Sequence, residues 1–312
     1  MPYIENTYYR VAEHLFTVKS SNQLLLSMMV NYEPFKVLPP LSKEEKIIFT
    51  LQIAQNGLLT DEQRTTYQHI FTDQSEEDMP RIEVYKNAEA AWLMRVSQIA
   101  QSPICCEIAC NADFTDAILY IDEKCKDVRF CIDNALMLIF AFRTASLMTL
   151  EMHAAVVVKE NEDSQKDMGY LFLGHSGTGK STHAQQWLKT FDNAWLLNDD
   201  NPILRIMNDG EIRVYGSPWS GKTPCYKNTY TQVGGIIKLS QAPHTQLHTV
   251  SLPHAYAYML SSVSGLKMDR TMADYLYESI KYIITHVNFR HLECLPDTEA
   301  AKVCWKGIKD NS

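Results

Sequence analysis

Residues 169–182 read GYLFLGHSGTGKST, and this stretch determines how the second half of the chain has to be built. Its start, residues 170–173, is a short apolar run of the kind that forms a buried strand. Residues 174–182 follow without a gap and match the phosphate-loop pattern G-x-x-x-x-G-K-[ST] in full. Apolar residues then recur at the spacing of one helix face: Ala184, Trp187, Leu188 and Phe191. A strand, a glycine-rich loop and a helix in this order predict a binding site for the phosphates of a nucleotide.

The residues of this loop have separate tasks in the predicted site. Glycines permit the backbone conformations that turn N–H groups inward around a phosphate. We expect Lys180 to reach the β- and γ-phosphates and the Ser181 hydroxyl to bind Mg²⁺. His175 occupies a free position of the pattern, so a direct role for it stays open. The expected nucleotide-binding residues are Gly174, His175, Ser176, Gly177, Thr178, Gly179, Lys180, Ser181 and Thr182.

A second stretch, residues 216–223 (GSPWSGKT), matches the same pattern literally. Pro224 follows it directly and disfavours helical backbone just where a phosphate-binding helix has to begin. We therefore reject it as a second phosphate loop. It is either a rigid structural turn anchored by Trp219 or an active-site loop that offers Ser220 and Lys222 to the acceptor or the phosphates.

Two further elements carry candidate chemistry. Asn198-Asp199-Asp200 follows the predicted strand 193–198, where carboxylates can reach Mg²⁺ or an attacking hydroxyl, although the same letters also suit a turn. His153 lies near the start of another predicted strand and is interpreted either as a core histidine or as facing the γ-phosphate. The catalytic candidates are Asp199, Asp200, His153, Lys180 and Lys222, and the candidate metal ligands are Ser181 and Asp200.

The pattern divides the chain into two predicted domains. Residues 1–130 alternate short β-like runs with polar breaks and predict a mostly β accessory domain. Its strands are expected at 8–18, 46–54, 81–85, 90–96 and 117–121, with a helix at 22–30 and a loop or edge segment at 58–80. Residues 131–312 predict an α/β domain that opens with a buried helix at 131–150. Further expected elements are hairpins at 152–174 and 202–216, a strand at 234–240, and helices at 180–190, 253–263, 271–286 and 297–308.

Composition excludes several classes of protein. The 312 residues include 29 Lys and Arg against 37 Asp and Glu, a formal net charge of −8, which disfavours a broad nucleic-acid-binding surface. The longest apolar run, residues 135–142, is far shorter than the roughly 20 residues that cross a bilayer. The first ten residues, MPYIENTYYR, lack the apolar core of a secretory signal, so we expect a cytoplasmic protein.

The eight cysteines form no C-x-x-C pair. Cys105, Cys106 and Cys110 lie close together in the sequence but lack zinc-finger spacing. We expect the cysteines to be buried free thiols in a reducing compartment.

Four stretches taken together resemble a known family: MHAAVVV (152–158), YLFLGHSGTGKSTHAQQW (170–187), LLNDDNPIL (196–204) and YGSPWSGKTPCY (215–226). They are similar to the catalytic domain of the HPr serine kinase/phosphorylase family, which shares a fold with ATP-dependent phosphoenolpyruvate carboxykinase. The resemblance covers roughly residues 131–305. It implies a mixed β-sheet core with ATP held by residues 174–182, Mg²⁺ near Ser181 and the aspartate pair, and His153 beside the phosphates. It also implies that Asp199 or Asp200 deprotonates an acceptor hydroxyl, without settling which of the two is the base.

The chain also departs from that family. GSPWSGK occupies the region in which HPr kinases carry a Glu-Ile-Arg-Gly type signature, so HPr is not the expected acceptor. The chain is too short for a complete carboxykinase, so decarboxylation is not expected either. The predicted function is that of a Mg-ATP-dependent kinase acting on a hydroxyl of a protein, a peptide or a small molecule. The alternative is an ATP-binding regulatory or scaffold protein with little or no turnover, and the sequence leaves open whether the chain forms a homo-oligomer.

Overall fold

Two mixed β-sheets carry the fold of the described part of the chain. The computed structural model describes residues 5–42, 44–54, 57–73, 79–161, 166–221 and 223–309. The chain divides into two units, residues 1–143 and 144–312, with one sheet in each. The division falls inside a long helix, whereas the sequence predicts the boundary before that helix, between residues 130 and 131. The combination of mixed sheets with several helices agrees with the predicted α/β class in its broad sense.

Strands dominate the first unit. They are β1 (Glu5–Val11), β2 (His14–Ser20), β3 (Lys36–Val37), β4 (Ile47–Ile53), β5 (Tyr67–Asp73), β6 (Arg81–Asn87), β7 (Trp92–Ser97), β8 (Ile104–Cys110) and β9 (Asp116–Ile121). The helices are α1 (Gln23–Ser27), a 3₁₀ helix (Val30–Phe35), α2 (Asp61–Arg64) and α3 (Val128–Ala145), which ends beyond the unit's boundary. Within the described residues the sheet has the order β3-β1-β2-β4-β9-β8-β7-β6-β5, and β4 is parallel to both its neighbours.

Two details of this unit differ from the sequence prediction, and a third, the loop or edge segment at 58–80, agrees with it in part. The run 8–18, expected as one strand, is a hairpin that turns at Ala12 and Glu13, both at positive φ. The polar segment 58–80 includes the short helix α2 and the edge strand β5, and residues 74–78 lie outside the described part. Strand β8 was not predicted, because its letters, ICCEIAC, lack the polar alternation of a half-buried strand.

The second unit contains the glycine-rich stretch 169–182. Its strands are β10 (Thr149–Glu151), β11 (Ala154–Asn161), β12 (Lys166–Leu173), β13 (Ala194–Asn198), β14 (Ile203–Ile206), β15 (Ile212–Tyr215), β16 (Tyr230–Gln241), β17 (Gln246–Thr249) and β18 (Phe289–Cys294). Its helices are α4 (Lys180–Thr190), α5 (Leu252–Ser262), α6 (Arg270–His286) and α7 (Thr298–Lys309). The helix that the sequence predicts at 131–150 ends earlier in the structure, because α3 stops at Ala145 and residues 149–151 form strand β10. None of the described helices is long and apolar enough to span a membrane.

The centre of the second sheet positions the glycine-rich loop. The order is β10-β14-β15-β16-β12-β11-β13, with β18 also paired to β16. Strand β12 is antiparallel to β11 and parallel to β16, and β13 is antiparallel to β11. The carboxyl ends of β12 and β13 therefore point the same way as the start of β11.

Helix α4 is fixed to this sheet by aromatic side chains. Trp187 is fully buried, with its ring 5.1 Å from that of Tyr170 and 5.4 Å from that of Phe172. Trp305 of α7 packs on the same tryptophan at 6.0 Å. The predicted apolar face of the helix is thus the face that holds the end of the glycine-rich loop in place.

All eight cysteines are described and are free thiols. The sulfur atoms of Cys105, Cys106 and Cys131 lie within 4.8 Å of one another. Hydrogen bonds from Cys106 and then Cys131 lower the pKa of Cys105 to about 4, since neighbouring thiols can donate to its thiolate. Cys110, which the sequence places near this pair, is not a member of the group. Cys131, distant in the sequence, takes its place.

Candidate functional site

The candidate site lies where three strand ends meet in the second unit. Ala154, the first residue of β11, is paired with Leu173, the last residue of β12. Asn198, the last residue of β13, is paired with Val156. His153 directly precedes β11, and Gly174 and Asp199 directly follow β12 and β13. The pairing of the strands alone therefore brings these three residues to the same end of the sheet. A backbone hydrogen bond from Ala154 N to Asp200 O, at 2.8 Å, extends this alignment beyond the strands.

The glycine-rich loop forms a turn that is open to solvent. Gly177 has φ +75° and Gly179 has φ +100°, values that side-chain-bearing residues rarely adopt. A Cβ atom built on either of them would have no neighbouring atom within 4 Å, so space is free on the outer side of both. Residues His175, Ser176, Ser181 and Thr182 are also exposed. The loop therefore presents its backbone, together with the first amides of α4 that lack helical acceptors, to anything that binds there.

Lys180 is buried at the base of this loop, with 8% of its surface exposed. Its Nζ donates to Gly174 O at 3.0 Å and lies 2.8 Å from His153 Nε2. Burial lowers the pKa of Lys180, Asp200 opposes that shift, and the nearby Lys238 adds to it. Lys238 lies on β16, half-buried, and burial lowers its pKa as well. Two ammonium groups thus face the region of the loop, a charge arrangement that suits an anion.

His153 connects the lysine to the aspartate pair. Because the Lys180 ammonium donates to Nε2, the ring proton belongs on Nδ1, which lies 3.5 Å from Asp200 Oδ1. Burial and the Lys180 charge lower the pKa of His153, which keeps the ring neutral. Burial raises the pKa of Asp200, while His153 and Lys180 act in the opposite direction. Lys180, His153 and Asp200 form one continuous series of polar contacts.

Asp199 has a different environment from its neighbour. Its side chain is buried, and Oδ1 accepts a hydrogen bond from Gly221 N at 2.8 Å and lies 3.1 Å from Ser220 Oγ. Oδ2 accepts from Thr223 N at 3.2 Å. Both carboxyl oxygens of Asp199 are thus bound by the loop at residues 216–223, called the second loop below. The carboxyl group of Asp200 faces His153 instead.

The second loop is largely a structural element that borders the site. Gly216–Trp219 are buried, and a Cβ on Gly216 would lie 2.1 Å from Lys227 O, so only glycine fits there. Asn198 Nδ2 donates to Ser217 Oγ and to Trp219 O. Gly221 lies against both aspartates, which brings the loop to the site without making it a phosphate loop. Lys222, one of the catalytic candidates, lies outside the described residues.

Glu151 is a buried acid near the site that the sequence analysis missed. Its side chain is fully buried, and neither carboxyl oxygen has a hydrogen-bond partner among the described residues. Burial raises the pKa of Glu151 well above its ordinary value, and the charge of Asp200 raises it further. A neutral, protonated carboxylic acid is the form that this environment favours. A single acid two positions before His153 gives no pattern that would have identified it, and the same holds for Lys238 inside an apolar strand.

The raised pKa of Glu151 predicts a stability that falls with pH. Above pH 4.5 the unfolded chain loses this proton while the folded chain keeps it, so unfolding releases a proton. The free energy of unfolding therefore falls by about 1.4 kcal/mol per pH unit until Glu151 ionises in the folded state as well. We expect Glu151→Gln, which cannot ionise, to be more stable than the wild type at pH 8 by a margin that shrinks towards pH 5.

Urea unfolding midpoints of both proteins at pH 5 and pH 8 check this expectation. Glu299→Gln, a change at an exposed glutamate, provides the matched control and should follow the wild type. An equal pH dependence in Glu151→Gln and the wild type would show that the buried acid is not held neutral.

Comparisons with known proteins do not assign a family. No protein-family model matches the chain, and no curated protein matches it. The resemblance to HPr kinases therefore stays a prediction that rests on the motifs quoted above, and the function has to be argued from the site.

Proposed function

We propose that this protein is a kinase that uses Mg-ATP to phosphorylate a hydroxyl group. The observation that carries the proposal is the contact series Lys180–His153–Asp200 beside an open glycine-rich loop. It joins the lysine of a phosphate loop to a carboxylate through a neutral histidine. Phosphoryl transfer requires mainly positioning and charge neutralisation, and this arrangement supplies groups for both.

The residues present fit the phosphates of a nucleotide. The loop has positive-φ glycines with free space outside them, and it ends at the positively polarised start of α4. Lys180 and Lys238 add positive charge, and nothing in the described loop opposes an anion. The sequence contains no adenine-reading motif, so the choice of ATP among nucleotides rests on the family resemblance.

Hydroxyl and carboxylate oxygens are the donors that Mg²⁺ prefers, and Ser181 and Asp200 supply them. Ser181 is exposed on the first turn of α4, and Asp200 Oδ2 accepts a hydrogen bond from Asn201 Nδ2 at 3.0 Å. When bound there, Mg²⁺ would neutralise charge on the phosphate oxygens. These two residues are the ones that would hold it.

The chain's own residues divide the remaining work. Lys180 is held at the base of the loop by Gly174 O and His153, so its ammonium lies beside the expected position of the phosphates before they bind. Asp200 receives the proton of the acceptor hydroxyl on the carboxyl oxygen that does not hold Mg²⁺. Asp199 holds the second loop against the site and acts as a positioning residue.

Transfer of label from γ-labelled ATP tests the proposal directly. The full chain is incubated with Mg²⁺ and a cell extract that has been separated into macromolecular and small-molecule fractions. We expect label to appear in a new species in one fraction, and the chelator EDTA to prevent it. The fraction that carries the label identifies the class of acceptor.

If no fraction acquires label, a parallel measurement of ATP binding by calorimetry shows which part of the proposal is wrong. ATP that binds while no fraction acquires label contradicts the kinase and favours the ATP-binding regulatory protein. Absence of both binding and transfer contradicts the nucleotide site as a whole.

A further inference from the structure

Four cysteines of the first unit converge from three separate elements. Cys105 and Cys106 lie on strand β8, Cys125 lies in the turn between β9 and α3, and Cys131 lies in the first turns of α3. We refer to these four residues as the thiol cluster. Nothing in the proposed kinase chemistry uses them, and they belong to the other unit of the chain.

A break in strand pairing explains how two adjacent cysteines can share one cluster. Neighbouring residues of a regular strand point to opposite faces of the sheet. Here Val96 pairs with Cys106 and Ser97 pairs with Ile104, which leaves Cys105 as the extra residue of a β-bulge. Bulges re-aim a side chain in this way. The irregularity brings both sulfur atoms to the same side, towards Cys131.

The distances are close to those that a single metal ion needs. The sulfurs of Cys105, Cys106 and Cys131 all lie within 4.8 Å of one another. Cys125 is the peripheral member: it is not part of that group of three, but its Sγ lies 3.5 Å from Cys131 Sγ and it interacts with the Cys105 thiol. Four sulfurs around one Zn²⁺, each about 2.3 Å from it, lie about 3.8 Å apart.

The surroundings favour a cation that prefers sulfur. Cys106 and Cys131 are fully buried, Cys105 is nearly so, and Cys125 is half-exposed, which leaves a path for an ion to enter. The start of α3 contributes backbone N–H groups that favour negative charge on sulfur. Lys124 and Lys126 flank Cys125 in the sequence, with Asp122, Glu123 and Asp127 close by, so the exposed segment carries charges of both signs.

We propose that the thiol cluster is a structural Zn²⁺ site, with Cys105, Cys106, Cys125 and Cys131 as its ligands. The ion joins strand β8, the β9–α3 turn and helix α3 through its four sulfur ligands. The absence of zinc-finger spacing in the sequence does not oppose the site, because the bulge and the helix supply the geometry that sequence spacing usually supplies.

Metal content of the full chain, purified under reducing conditions, is the first test. We expect about one Zn²⁺ per chain by elemental analysis, falling below about a tenth of an ion in Cys131→Ser and Cys106→Ser. Cys110→Ser is the matched control, because Cys110 is a buried cysteine of the same strand outside the cluster, and it should keep the ion.

Cobalt substitution of the wild-type chain keeps the proposal testable even if the serine variants fail to fold. Co²⁺ added to the zinc-free, reduced chain should give the thiolate-to-cobalt charge-transfer band and the intense visible bands of a tetrahedral sulfur site. A wild-type chain without zinc and without these bands overturns the proposal. So does a serine variant that retains the full complement of zinc. A wild-type chain that is purified without reductant, contains no zinc and carries a Cys125–Cys131 disulfide by mass spectrometry overturns it in favour of a redox pair.

Discussion

Asp200→Asn is expected to lower phosphoryl transfer at least about a hundredfold while ATP still binds. The change keeps the size of the side chain but removes the negative charge that faces His153 and Lys180. An amide cannot accept the proton of the acceptor hydroxyl, and it is a weaker ligand for Mg²⁺. Steady-state rates with the acceptor fraction and calorimetric ATP affinity, measured side by side, check the expectation.

Two further aspartates serve as controls for this result. Asp192→Asn changes an exposed residue and should leave both quantities unchanged. Asp199→Asn places an amide opposite the backbone donors of Gly221 and Thr223, so its main effect should be a lower unfolding midpoint. Full activity in Asp200→Asn would remove this residue from the proposed mechanism.

Lys180→Ala is expected to lower turnover by a similar factor and to weaken ATP binding as well, because its ammonium is positioned towards the phosphates before they arrive. The same variant should raise the pKa of His153, since the charge of Lys180 is one of the causes that lower it. NMR titration of that histidine gives a readout that does not depend on activity. Lys189→Ala, in the last turn of the same helix, should change neither quantity.

A Lys180→Ala variant that is fully active would contradict the proposed role of the lysine. An unchanged pKa of His153 would instead contradict the contact between the two side chains. The two outcomes are independent, so the geometry and the function are tested separately.

The glycine-rich stretch allowed a close prediction, because local signals there agree with one another. The predicted helix at 180–190 has the same bounds as α4, and the preceding strand and loop lie where the pattern places them. The structure places His153 beside Lys180, with the aspartate pair next to the histidine. Their different environments could not be predicted, because Asp199 meets donors that lie more than twenty residues further along the chain.

Three other features of the structure could not be predicted from the sequence, each for a physical reason. The turn at Ala12 and Glu13 uses positive φ without glycine, so its usual signal is missing. Glu151 is an isolated acid, and its strand β10 pairs with β14, which lies some fifty residues further along the chain. The thiol cluster depends on a bulge at Cys105, and a bulge leaves no mark in hydrophobic periodicity.

The parallel pairing of β12 with β16 has a consequence for partial chains. During synthesis β11, β12 and β13 emerge well before β16, which begins only at Tyr230. Until β16 arrives, the backbone N–H and C=O groups along one side of β12 have no partner, and the strand's apolar residues Leu171 and Phe172 are incompletely covered. An open, apolar strand edge is a template for aggregation. A fragment that ends before residue 230 therefore contains the glycine-rich loop, His153 and both aspartates, although not Lys238, and should be insoluble, whereas a fragment that retains β16 closes that edge.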